Sequence, residues 1–452
     1  MMRITRHFLT VEGRRVHYRK CGNGPPVLLI HQSPRSSAEY LDLMRDWGRQ
    51  FTCYAPDSPG FGQSDPLPLA KPGTDDFGDA IIAFADAAGF NGIAAYGFHS
   101  GGIFLMNALR RHPRRFTALA VGGYPRFRPE EAGDVGEEYL LPFRPQPFGE
   151  HLVWAWNRFL EQSWYFPWFK PEQARRLPNP HARLDQIHAM VMDLLDSGDA
   201  YRFGYRAAFA GEYDIPPAGT AVPPALVSSY TGDPMTAHAE RFDPLPTGWE
   251  LREQPTPEDH YAESRDFLAR YPAPGFTAAE DDGAGFVHIR AGGFDGLIHW
   301  QGDGDVLAIH GPGRAGELVG DGGIRIDLPG HGLSDPWPGE APRGWASWQA
   351  VIDALASHFG AATVRHEPLP IGDPDLLYPD LAPDRFGLYL VKAWGLLRAG
   401  HVFAPRNEVG RDFAIPIDSA ALTPERLAVE HRALLRSSAA RALHLARLGA
   451  GV

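Results

Sequence analysis

Two patterns of apolar positions alternate along the first 270 residues. The apolar run at 26–31 has the length and two-sided hydrophobicity of a strand buried within a parallel sheet, and further strands are read at 51–55, 92–96, 116–121 and 224–230. Between them, apolar residues return every three or four positions. Tyr40, Leu41, Leu43, Met44 and Trp47 do so over 38–49, and Phe77, Ile81, Ile82 and Phe84 over 75–88. Each set predicts one face of an amphipathic helix. An opening hairpin from 7–12 and 15–19 precedes this alternation. A Gly-rich turn at 97–102 leads into a helix ending near His112, and a strand near 248–252 and a helix over 257–269 close it. Strand, helix, strand in sequence predicts right-handed crossovers and a mostly parallel sheet sandwiched by helices. Residues 125–220 are aromatic, Pro-rich and without strand alternation, and read as a helical insertion. Residues 271–284 are small, acidic and contain Pro and Gly, as a linker would.

The chain then echoes itself. Val27-Leu28-Leu29-Ile30-His31 returns as Val306-Leu307-Ala308-Ile309-His310, and Asp57-Ser58-Pro59-Gly60-Phe61-Gly62-Gln63-Ser64-Asp65-Pro66 as Asp327-Leu328-Pro329-Gly330-His331-Gly332-Leu333-Ser334-Asp335-Pro336. Phe148-Gly149, Leu152-Val153 and Ala155-Trp156 return as Phe386-Gly387, Leu390-Val391 and Ala393-Trp394. The order is kept, but the offset falls from 279 and 270 to 238, so the second copy lacks a block of about 32 residues. The predicted organisation is a module over 1–270, a linker over 271–284 and a truncated pseudo-repeat over 285–452.

Composition narrows the class. The formal charge of −12 and the absence of any Lys/Arg run argue against nucleic acid as a partner. Two cysteines, Cys21 and Cys53, provide neither a disulfide framework nor Cys-type zinc spacing. The N-terminal residues lack the apolar stretch of a signal peptide, and no run of 18 apolar residues exists. The expectation is a cytoplasmic protein off the membrane, acting on a small molecule without metal or cofactor, and either a monomer built as a pseudo-dimer or a homo-oligomer.

The chemistry-bearing residues sit at the turns. His31-Gln32 follows the third strand, Asp57-x-Pro-Gly-x-Gly-x-Ser-Asp the fourth, and Gly97-Phe98-His99-Ser100-Gly101-Gly102 marks a strand-to-helix turn. In this order they resemble an α/β-hydrolase over about residues 7–270, and more weakly over 285–447. The resemblance implies a nucleophile at the apex of a strained elbow, small residues flanking it, and an acid and a histidine later in the chain. Here Gly97 and Gly101 are the small residues, which puts His99 at the apex. Ser100, one step later, would place bulky Phe98 at a small-residue position, although Gly102 would fit. By position, Asp233 in Thr231-Gly232-Asp233-Pro234 matches the orienting acid, and His260 at the start of the closing helix matches the base. The backbone N–H groups of Ser100 and Gln32 would form an oxyanion hole, with His31 beside them. The insertion resembles the family's cap, which makes Tyr124, Trp154 and Trp164 candidate pocket residues. Such aromatic clusters are more often core.

His99 is chemically open: a nucleophile, a general acid or base, or half of a coupled pair with His260. Ser100 reaching the site from a distorted elbow is a further option. The activity implied is hydrolysis of an ester, lactone or C–C bond in a small, largely apolar substrate. A lyase, isomerase or cyclase reaction, or ligand binding without turnover, is the alternative. The second copy reads Glu367-Pro368-Leu369-Pro370 where its elbow belongs, and two prolines exclude an elbow helix there. It continues to a cap-like segment at 383–447 without counterparts of Asp233 or His260, so it is expected to be catalytically silent.

Overall fold

The computed structural model describes residues 2–128, 131, 137–178, 183–211, 213–276, 284–320 and 322–452, so much of the predicted linker lies outside the described residues. Packing divides the chain into two compact units. The first comprises 1–143 and 158–281, the second 144–157 and 282–452.

Eight strands build the sheet of the first unit: β1 (Thr5–Val11), β2 (Arg14–Cys21), β3 (Pro26–Ile30), β4 (Thr52–Pro56), β5 (Ile93–Phe98), β6 (Phe116–Gly122), β7 (Ala225–Tyr230) and β8 (Trp249–Gln254). Their spatial order is β1-β2-β4-β3-β5-β6-β7-β8. The β1–β2 and β2–β4 pairings are antiparallel and all later ones parallel. Every residue of β3 and β5 is buried, as their unbroken apolar runs require. The helix predicted over 38–49 divides into a 3₁₀ turn, Ser37–Tyr40, and α1 (Leu41–Trp47), because Ser36 Oγ accepts the Ala38 N–H and caps the turn. Helices α2 (Thr74–Ala88) and α3 (Ser100–Arg111) follow. The insertion holds α4 (Glu150–Gln162), α5 (Leu184–Ser197) and α6 (Tyr201–Ala210), with no strand longer than the single bridge Tyr165–Arg176 among the described residues. Helix α7 (Pro257–Ala269) starts on the Thr256 cap and Pro257. It buries Phe267 and Leu268 with Trp47, Phe51 and Tyr96 in one core.

The sheet of the second unit has five strands: β9 (Ala284–Ala291), β10 (Phe294–Gln301), β11 (Val306–Ile309), β12 (Ile324–Ile326) and β13 (Thr363–His366). Its order, β9-β10-β12-β11-β13, and its strand directions repeat those of β1-β2-β4-β3-β5. This sheet ends at β13, whereas the first continues from β5 through α3 to β6. Helix α8 (Trp345–Phe359) precedes β13. After it come α9 (Pro374–Leu377), α10 (Leu388–Gly400), α11 (Pro424–Leu435) and α12 (Ala440–Ala450).

The echo extends to single hydrogen bonds. Asp57 accepts from the N–H groups of Ser37 and Gln63 and from His17 Nδ1, at 2.7, 2.9 and 2.9 Å. Asp327 accepts from Gly316, Leu333 and His299 Nδ1, at 2.6, 2.8 and 2.9 Å. Both aspartates are buried. Burial alone would raise the carboxyl pKa of each, but the facing histidine, helped by His31 and Arg19 at Asp57 and by His310 and the Leu333 N–H at Asp327, holds it well below the usual range. The repeated Asp-x-Pro-Gly turn is therefore a structural knot tying the hairpin to the sheet. Asp57→Ala leaves three buried donors unpaired, and a destabilisation of about 3–5 kcal/mol is expected, read as a lower denaturation midpoint.

The third echo packs upon itself within the second unit. Trp156 Nε1 donates to the Arg385 carbonyl and Trp394 Nε1 to the Pro147 carbonyl, both at 3.2 Å. The Trp156 ring meets Tyr389 edge-on and the Trp394 ring meets His151 likewise. The two segments make the same contacts in exchange, which is the pattern of a two-fold interface. This is why 144–157 belongs with the second unit, although its sequence position lies inside the first module.

Candidate active site

The elbow is built at the end of β5. His99 has φ 45° and ψ −116°, a strained conformation for a residue with a side chain, and α3 begins immediately after it. Close packing explains the flanking glycines. A Cβ on Gly97 would lie 2.7 Å from the Gly101 backbone, and one on Gly101 would lie 2.1 Å from the Ile30 carbonyl oxygen. His99 is thus the apex residue.

Its imidazole lies between two oxygens. Nε2 is 2.8 Å from Asp233 Oδ2 and Nδ1 is 3.0 Å from Gln32 Oε1. The Gln32 amide is oriented by Glu39, whose Oε1 lies 2.5 Å from the amide nitrogen. The amide oxygen is therefore what faces His99. Both ring nitrogens face acceptors, and a ring carrying an N–H on each side satisfies the arrangement in full. Asp233, its side chain fully buried, also accepts from the Met235 N–H at 2.6 Å. Burial opposes its charge, but His99 and that N–H outweigh it and hold its pKa below the carboxylate range. Glu39, Gln32, His99 and Asp233 form one hydrogen-bonded file.

The structure does not bring His260 into this file. Its ring is fully buried, with Nε2 2.9 Å from the Tyr96 hydroxyl and Nδ1 2.5 Å from Ser228 Oγ. Burial lowers its pKa to about 4, so it is neutral near pH 7. Asp233 takes His99 as its partner in place of His260, because the apex imidazole reaches the carboxylate first. Ser100 Oγ is likewise turned away, accepting from the Ser33 N–H at 2.6 Å and donating to Ser33 Oγ at 3.0 Å. The Gln32 N–H donates to Glu39 Oε2 at 3.1 Å, so this half of the expected oxyanion hole is already engaged. His31 is structural: Nδ1 donates to the Gln32 carbonyl and Nε2 accepts from the Ser58 N–H, as His310 does with Gly311 and Leu328.

A cavity of about 190 Å³ opens over the elbow, lined by Gln32, His99 and Ser100 and roofed by apolar side chains including Phe127, Phe166 and Phe209. Tyr124, Trp154 and Trp164 are not part of its lining. Tyr124 is buried against Phe242, Trp154 belongs to the second unit, and Trp164 sits in the turn after α4. Three residues escaped the sequence reading. Glu39 orients Gln32 from one 3₁₀ turn away. Gly123, at φ 52°, leaves room for the His99–Asp233 pair, since a Cβ there would lie 2.5 Å from the His99 ring. Arg158, 1% exposed, sits among the rings of Tyr139, Phe159, Trp168 and Tyr205 and donates to Gln162 at 2.8 Å, behind the cavity wall. Asp193 of α5 pins the cap to the loop after β3 by accepting from Arg35 Nε and Ser36 Oγ.

Residues 25–244 match the family described as the alpha/beta hydrolase fold. These residues belong to the α/β-hydrolase family. Similar curated proteins include a haloalkane dehalogenase of Agrobacterium fabrum, 28% identical over 183 residues, which are 38% of this chain and 59% of that one. A soluble epoxide hydrolase of a Corynebacterium species is 39% identical over 62 residues, 14% of this chain and 22% of that one. A cis-3-alkyl-4-alkyloxetan-2-one decarboxylase of Shewanella oneidensis is 30% identical over 131 residues, 27% and 39% of the two chains. In each case the chain spans less than two thirds of the relative's length. Among the described residues no helix is long and apolar enough to cross a membrane.

Proposed function

We propose that the α/β-hydrolase unit is an enzyme that acts on a small, largely apolar, carbonyl-bearing substrate by proton transfer through His99, with Asp233 as its charge partner. The observation that carries this reading is the 2.8 Å contact between His99 and Asp233 at the strained apex, facing the apolar cavity. An imidazole nucleophile needs a free nitrogen lone pair, whereas both His99 nitrogens here face acceptors. A serine nucleophile needs a base beside it, and the Ser100 hydroxyl is held by Ser33. Substrate oxygen displacing Gln32 Oε1 would receive the Nδ1–H of His99, which stabilises the charge that develops there. For ester or lactone hydrolysis, the carbonyl oxygen takes this proton as water adds to the carbonyl carbon, and the added water's excess proton restores the ring; the adduct then collapses, the ring taking a hydroxyl proton while C=O re-forms and handing its proton to the leaving oxygen as the acyl–oxygen bond breaks.

The absence of a free hydroxyl at the apex supports a second reading, a lyase, isomerase or cyclase reaction in which the same N–H stabilises an enolate-like anion. The Shewanella relative, named as a decarboxylase of substituted oxetan-2-ones, shows that the family's names extend beyond hydrolysis. The paired cap segments support a tandem duplication in which the second unit stands in for a partner subunit.

The test is a screen of aryl esters and β-, γ- and δ-lactones, combined with fluorophosphonate treatment. Turnover is expected to survive the reagent and Ser100→Ala to within a few-fold. His260→Gln is expected to retain kcat while losing about 1–3 kcal/mol of stability through the unpaired Tyr96 and Ser228 hydroxyls. Covalent labelling of Ser100 overturns the proton-transfer reading. Saturable binding of these compounds without turnover of any would make the unit a binder.

A further inference from the structure

The second unit has a cavity of its own, of about 410 Å³, at the carboxyl ends of β11 and β13. The loop 311–314 after β11 and the segment 367–371 after β13 frame it. These follow the strands that correspond to β3 and β5, the strands that present Gln32 and His99 in the first unit. Loops at the carboxyl ends of parallel strands are where this architecture places its ligands. Catalytic residues are missing here, but the place is not empty of chemistry.

Most of the charges in the cavity are paired. Arg314 Nε lies 2.9 Å from Glu367 Oε2, and His401 Nε2 lies 2.8 Å from Glu430 Oε2. Arg406 is different. Its Nε and Nη2 are buried and have no hydrogen-bond partner among the described residues. Its guanidinium lies 5.5 Å from the centre of the Tyr378 ring, a contact that steadies the cation without satisfying its donors. Tyr378 is itself held, its hydroxyl donating to the Pro312 carbonyl at 3.3 Å. Leaving charged donors buried and unmet is costly, so the arrangement suits an acceptor that arrives with a ligand.

The chemistry of that acceptor follows from the surroundings. The planar fork of an arginine matches the two oxygens of a carboxylate. One uncompensated cation matches one negative charge, whereas a doubly charged phosphate would set its second charge near Glu367 and Glu430. Leu377, Leu397 and Phe403 give the cavity an apolar wall. We infer that the second unit binds a monocarboxylate with an apolar tail, its carboxylate paired with the Arg406 guanidinium and its tail along Leu377, Leu397 and Phe403. The duplicate has thus exchanged catalysis for recognition, and the proposal stands independently of what the first unit does.

Calorimetric titration of the full chain with hexanoate, hexanol and inorganic phosphate tests it, each variant being checked for native circular dichroism. Hexanoate is expected to bind, with hexanol and phosphate at least about tenfold weaker. Arg406→Met is expected to weaken hexanoate by about tenfold or more, and Leu397→Trp, which fills the cavity from its wall, to do the same. His99→Gln is expected to leave hexanoate binding unchanged, which separates this site from the first unit's cavity. Absence of hexanoate binding, phosphate binding as tightly as hexanoate, or hexanoate affinity unaffected by both Arg406→Met and Leu397→Trp would each overturn it.

Discussion

His99→Gln is expected to lower kcat/KM by about 10²–10⁴, the range spanned by a single positioned proton-transfer group. Glutamine retains a polar side chain at the apex but has no proton that it can give and take back. The loss should fall on kcat more than on KM, because the apolar cavity that holds the substrate is untouched and only the interaction with the developing charge is removed. Asp233→Asn should reproduce most of the loss. An amide can hold the imidazole in place through its oxygen but cannot balance a charged ring, so the low-lying carboxylate at 233 loses its purpose. Gln32→Ala is the informative contrast. It removes the acceptor on Nδ1 without touching the His99–Asp233 pair, so activity should persist and KM should change. Measured rates settle the matter: a His99→Gln variant with near-normal kcat, on whichever ester or lactone the wild type turns over, would place the chemistry elsewhere.

The parts of this site that the sequence made legible are those governed by short-range sterics. Gly97 and Gly101 must be small because the elbow brings backbone within 3 Å of their Cβ positions, and that requirement alone places His99 at the apex. The mostly parallel sheet could be anticipated because short apolar runs alternating with amphipathic helices imply right-handed crossovers. The second sheet ends at β13, directly before the Pro368 and Pro370 pair that argues against an elbow helix there. What stayed hidden depends on which side chain reaches a partner first. Asp233 and His260 occupy the expected places in the chain. Yet Asp233 bonds the apex imidazole, while His260 is enclosed by Tyr96 and Ser228, residues on different strands far from it in sequence. Gln32 looked like a backbone donor, but Glu39, one short turn away, takes its N–H and orients its side chain. The segment 144–157 shows the same limit at larger scale. The likeness of 148–156 within it to 386–394 was readable, but the reciprocal tryptophan contacts are a property of the fold alone.

Mild acid is expected to unfold the protein between about pH 6 and pH 4, before the buried carboxylates can be protonated. The reason lies in three histidines. His260 is fully buried and has its pKa lowered to about 4, while His331 and His431, 0% and 1% exposed, are lowered to about 3, in each case first by burial. In the unfolded chain all three return to about 6.5. Below pH 6.5 the unfolded state therefore binds protons that the folded state refuses, and stability falls as pH falls, by up to about 1.4 kcal/mol per pH unit for each histidine. Two such residues in the second unit give a slope near 3 kcal/mol per unit, enough to exhaust a domain stability of about 5–15 kcal/mol within a few units. Asp57, Asp233 and Asp327 act in the same sense but in a lower pH window. Their folded pKa values are depressed, so their contribution is intact above about pH 4 and is lost only below it. Denaturant titrations at pH 7, 6, 5 and 4.5 should show the decline. His331→Leu tests its cause, since it removes a titrating ring that packs against Trp348 and whose Nε2 has no hydrogen-bond partner among the described residues. The variant should lose about one proton from the uptake on unfolding and show a shallower decline below pH 6.5. An unchanged slope would mean that His331 is protonated in the folded protein, and with it the assignment of acid lability to buried neutral histidines would fail.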